Sequence, residues 1–99
     1  MDDREVIKNY IQDNYDVYPG YYVWKKDYFM EYSWVHWACQ EILYTLALTK
    51  DDEMDVKDII LDYVKDTKYC LDVAKSNTSK IMFRTAISIA EEVYSLIGG

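Results

Sequence analysis

From Tyr28 to Leu48, fifteen of twenty-one positions are apolar or aromatic, in the run YFMEYSWVHWACQEILYTLAL. A helix that is apolar almost all round must be covered on several sides. Either a bilayer or the rest of the chain has to supply that cover. The length alone would permit a membrane span. Glu31 and Glu41 argue against one, since each would cost about 2.5–3.5 kcal/mol near a bilayer centre. Gln40 and His36 add to that cost, and the apolar letters are rich in Tyr and Trp rather than Leu. The stretch 27–48 is therefore expected to be the central helix of an all-α fold. Asp27 is its candidate N-cap. Its polar stripe runs through Glu31, Glu41 and Thr45, and Trp34 and Ala38 fall on the same side.

The cover comes from three other segments, which make a small bundle of about four helices in a single domain spanning 1–99. In 3–14, Val6, Ile7, Tyr10 and Ile11 form a narrow apolar stripe, with Asp2 or Asp3 as cap. In 53–75, Val56, Ile59, Ile60, Tyr63, Val64, Thr67, Cys70, Leu71 and Ala74 recur at helical spacing, and Asp51 or Asp52 can cap the segment. In 79–97, Met82, Phe83, Ala86, Ile87, Ile89, Ala90, Val93, Tyr94 and Ile97 make a wide apolar face, leaving Arg84, Ser88, Glu91, Glu92 and Ser95 for water. The run Ser76-Asn77-Thr78-Ser79 breaks the third helix and offers caps for the fourth, which Gly98-Gly99 ends.

Between the first two helices lies YDVYPGYYVW, residues 15–24, in which Tyr15, Tyr18, Tyr21, Tyr22 and Trp24 surround Pro19-Gly20. Pro-Gly suits the central positions of a type II turn. Seven of the eleven tyrosines fall within residues 10–32. Tyrosine brings a large contact area, little rotamer entropy and a polar tip, which suits an interface. The turn is expected to lid the core and to present some rings outward, with Tyr18, Tyr21, Tyr22, Trp24 and Trp34 as candidate partner-binding residues.

The formal charge is −7 and the sequence pI about 4.5. That balance argues against direct contact with nucleic acid or an anionic membrane, and favours a basic partner. The acidity is local: residues 51–72 hold eight acids and three lysines, a net of −5. Asp55, Asp58, Asp62 and Asp66 stand at i, i+3, i+7 and i+11, which sets four carboxylates in one helical row with about 5–6 Å between neighbours. Lys57, Lys65, Lys68 and Lys75 occupy another flank. Asp is a poor interior helix former and like charges at i, i+4 repel, so solubility alone would be better met by Glu. The row is a candidate docking surface for Lys and Arg of a protein whose basic groove is built for nucleic acid. The competing reading is a solvated helix face.

Cys39 and Cys70 lie on apolar helix faces, and the segment MDDREVIK is charged without an apolar run. A cytoplasmic protein with two buried free thiols is the expectation. His36 is the single histidine, and with two cysteines it cannot complete a four-ligand zinc site. No nucleophile–base pair, glycine-rich phosphate loop, HExxH or CxxC is present, so neither an enzyme nor a cofactor is expected, and no metal. Small acidic helical proteins occur among bacterial immunity proteins, antitoxins and phage counter-defence proteins. That is a likeness of class, with no shared motif.

The sequence thus points to an acidic binding protein that occludes a basic, nucleic-acid-handling partner and acts as a nucleic-acid mimic. The alternative is a structural or accessory protein that forms a homodimer or larger homo-oligomer through the aromatic helix 27–48.

Overall fold

A computed structural model describes residues 2–15, 30–49 and 55–98, with side chains from Trp34 onward in the second helix. Four helices follow one another: α1 Asp3–Tyr15, α2 Met30–Leu48, α3 Val56–Val73 and α4 Asn77–Leu96. The all-α bundle read from the periodicities is the fold observed. The Pro19-Gly20 turn, Asp27, Asp51 and Asp52 lie outside the described residues, and so does the side chain of Glu31.

The helix ends follow local chemistry. Asp2 opens α1: its carboxylate accepts from the Glu5 amide at 3.0 Å and its carbonyl from Val6 at 3.1 Å. Ser76 caps α4, its hydroxyl accepting from the Ser79 amide at 3.1 Å. Gly98 follows α4 with φ +90°, the left-handed conformation that glycine adopts without strain at a helix C′ position. Asp55, expected inside the third helix, is instead its N-cap, and its side chain makes no capping bond. The end of α2 is closed by tertiary structure: Arg4 of α1 donates to the Leu46 carbonyl. A guanidinium there also complements the negative end of the α2 dipole.

The core joins all four helices. Ile7 and Ile11 of α1, Ala38, Cys39, Ile42, Leu43 and Leu46 of α2, Ile59, Ile60 and Val64 of α3, and Ala86, Ile89, Ala90 and Val93 of α4 are buried. Burying an Ile or Val side chain fully is worth about 1.5–3 kcal/mol, so the short α1 is held chiefly by Ile7 and Ile11. α2 touches each of the other helices, as expected of a central strut, but so does α4, which packs most extensively on α3. The two-helix hairpin α3–α4 is antiparallel across a connection of only Ala74–Ser76.

One expectation about α2 is reversed. Helical spacing sets Ala38 on the polar stripe with Glu41 and Thr45, yet it is fully buried. The outward side of α2 lies nearer its end, where Tyr44 and Leu48 are 62% and 65% exposed. Glu41, Thr45 and Trp34 are half-buried. Among the described residues no helix is long and apolar enough to cross a membrane.

Candidate partner-binding face

The face is built on α3. Its inward side is fixed by Ile59, Ile60, Val64 and Thr67, so the helical period turns the aspartates to the other side. Asp55, Asp58, Asp62 and Asp66 are all exposed. Among the described residues, none of these four carboxylates has an ion-pair or hydrogen-bond partner. From Asp55 to Asp66 the row covers about 16 Å of helix axis. Four like charges on that length repel one another in the free protein, and the amide dipoles at the helix start offset this only near Asp55 and Asp58.

Two further side chains continue the stripe. Tyr69 follows Asp66 by three residues and Val73 follows Tyr69 by four, which keeps both on the same helical face. Tyr69 is 68% exposed and Val73 56%. The stripe therefore passes from carboxylates at its N-terminal end to an aromatic ring and a branched aliphatic at its C-terminal end. Sequence reasoning missed Tyr69 because it weighed tyrosines by their crowding in 10–32. The available signal was position: Tyr69 is off the apolar repeat of its helix and in register with the aspartates.

Of the aromatic candidates, Tyr18, Tyr21, Tyr22 and Trp24 lie outside the described residues, and Trp34 is half-buried in α2. Trp34 is on α2 and the aspartate row on α3. The lysine flank of α3 turns toward α4, where the Lys68 ammonium meets the Glu91 carboxylate at 3.5 Å and Lys57 donates to the Gly98 carbonyl at 3.4 Å. Between these helices runs an open recess of about 460 Å³, lined by apolar Leu71 and Ile87 together with Lys68, Asp72, Arg84, Ser88 and Glu91.

The remaining reactive groups lie on α2 and α3. Cys39 is buried, which pushes its thiol up to about 12. Cys70, expected to be buried as well, is only half-buried, and both thiols are free. Burial also raises the Tyr63 phenol, with the Glu41 carboxylate adding to the effect. His36 is half-buried in α2. Among the described residues, no three His, Cys, Asp or Glu side chains gather as metal ligands would.

Compared with known proteins, the chain matches no family model, no curated protein and no solved structure.

Proposed function

We propose that the protein binds and occludes a basic surface of another protein, one that handles nucleic acid, and that the outer face of α3 makes the contact. The observation that supports this is the exposed, unpaired row Asp55, Asp58, Asp62 and Asp66, continued on the same stripe by Tyr69 and Val73. Regularly spaced carboxylates match a groove selected for regularly spaced phosphates. In such a contact the charges steer the approach and set the register, while the aromatic supplies buried area. The mechanism is steric and electrostatic, with no covalent chemistry.

The test is capture of binding proteins from lysate at low and high salt, by the wild-type chain and by a variant with Asn at 55, 58, 62 and 66. The proposal expects a basic protein retained by the wild type at low salt, released by salt and lost with the variant. That protein should also lose its nucleic-acid binding when the wild-type chain is added. Capture indifferent to the four substitutions and to salt would refute it.

A second reading is favoured by Tyr44 and Leu48, which stand exposed one turn apart at the end of α2. In that reading the aromatic helix meets a second copy, and the aspartates only keep the assembly soluble.

A further inference from the structure

α1 is the helix with the least to hold it. It has 13 residues, near the length at which an isolated helix is marginal in water, and Asn9, Asp13 and Asn14 are weak helix formers within it. Its helical state therefore depends on its seat against α2 and α4. Of the fourteen buried apolar side chains among the described residues, α1 supplies two, Ile7 and Ile11. The other twelve belong to α2, α3 and α4, which also pack on one another.

The seat is open at both ends. A recess of about 230 Å³ is lined by Arg4, Glu5 and Lys8 of α1 with Leu43, Leu46 and Ala47 of α2. Another, of about 380 Å³, has Tyr15 of α1, Val35 of α2, and Ile89 and Glu92 of α4 in its lining. The polar contacts that cross the seat gather at a few points. Arg4 donates to the Leu46 carbonyl, and Tyr10 and Tyr15 both donate to the carboxylate of Glu92. Glu92 is exposed, so water competes for that carboxylate and hydrates it when the phenols leave.

We propose that α1 is a strap latched by Glu92, which leaves its seat and unravels as a unit while α2, α3 and α4 stay folded. Release costs two buried isoleucines and a few hydrogen bonds, far less than the whole core, so it lies below global unfolding in free energy. The unfilled sites of Ile7 and Ile11 keep the open form a minor population. Release and unravelling are one event, because α1 off its seat is too short to persist as a helix. The chain then has two native-like forms, which differ in whether the surface of α2 and α4 beneath α1 is covered. The aspartate face of α3 is the same in both, so the strap does not depend on the function proposed above.

The experiment is hydrogen exchange of the full chain under native conditions, resolved by peptide. Amides of α1 should be at least about a hundredfold less protected than the best-protected amides of α3 and α4. Glu92→Ala should speed α1 exchange about tenfold, and Tyr15→Phe by less. The α3–α4 amides should follow in the same ratio, because the closed form is the reference for both openings. The decisive arm is Ser76→Ala. Ser76 caps α4 at the end away from Glu92, and its bond to the Ser79 amide is present whether α1 is seated or not. Ser76→Ala should therefore speed exchange in the α3–α4 core about fivefold and leave α1 unchanged. Equal protection of α1 and the α3–α4 core would overturn the proposal. So would α1 exchange that rises with Ser76→Ala in step with the core, since α1 would then open only by global unfolding. An α1 indifferent to both Glu92→Ala and Tyr15→Phe would overturn it too, because nothing would be latched at Glu92.

Discussion

The phenol oxygen of Tyr15, the last residue of α1, lies 2.9 Å from both carboxylate oxygens of Glu92 on α4. Tyr10 donates to the same carboxylate, and the two rings meet edge to face with centroids 6.3 Å apart. One acid therefore stitches the N-terminal helix to the C-terminal one. Glu92→Ala should lower stability by about 1–2 kcal/mol, since two charge-assisted hydrogen bonds at a solvent-accessible site are lost together. Urea unfolding of Tyr10→Phe, Tyr15→Phe and Glu92→Ala, singly and combined, would measure this. Additive effects would mean that the three groups do not act as a unit.

Neutralising the aspartate row should separate stability from binding. Asp62→Asn removes a charge that has like neighbours at i−4 and i+4 and no partner among the described residues. Stability should stay level or rise by about 0.2–0.5 kcal/mol, while binding to a basic partner weakens. A loss of stability on Asp62→Asn would show instead that the row supports the fold. Thermal unfolding decides this without knowledge of the partner.

The two hairpin caps give a matched comparison. Ser76→Ala deletes an observed bond to the Ser79 amide and should cost about 1 kcal/mol. Asp55→Ala deletes no capping bond, and its cost should be clearly smaller. Equal costs in chemical denaturation would contradict the geometry of both termini.

The thiols should behave differently. Cys39 is buried and Cys70 half-buried, so a thiol reagent should modify Cys70 in the folded protein and Cys39 only on unfolding. Burial raises the Cys39 thiol from 9.0 to about 12. A group whose folded value lies above its unfolded one contributes stability that is complete below the unfolded value and disappears as pH climbs through the folded value. Stability should therefore fall from about pH 9 toward pH 12, and burial of the Tyr15 and Tyr63 phenols acts in the same direction. Cys39→Ala should flatten that alkaline decline. A decline of unchanged steepness would locate its cause elsewhere.

Core packing sets the last prediction. Ala38, Ala86 and Ala90 are each fully buried, so the helices they sit on have no spare space at those points. Ala90→Leu should destabilise by about 1–3 kcal/mol through overpacking. Leu61→Ala, at a side chain 46% exposed, should cost clearly less. The reverse order would contradict the helix interfaces described above.

These residues also mark what the sequence could disclose. The stripes of α1, α3 and α4 were legible because each helix buries one face, and burial of one face writes itself as a period. Ile7, Ile11, Ile60 and Val93 could be placed from spacing alone. α2 was harder: a helix apolar on most sides has no clear period, and so Ala38 was put on the wrong side. The Asp55–Asp66 row was legible as a pattern, but that its carboxylates have no ion pair among the described residues was not. The Tyr10–Tyr15–Glu92 cluster and the Arg4–Leu46 bond had no signal in local sequence, because each joins residues at least 42 positions apart.

That separation bears on the order in which the molecule assembles. α3 and α4 are joined by three residues, so their interface closes a short loop. The Glu92 stitch closes loops of 77 and 82 residues. Contacts near in sequence form early and distant ones late. We expect the α3–α4 hairpin to form in the rate-limiting step of folding and α1 to dock after it. Glu92→Gln should then speed unfolding and leave the refolding rate nearly unchanged, which stopped-flow kinetics can read. The face of α3 that carries the aspartate row is in that case finished before the N-terminal helix has found its place.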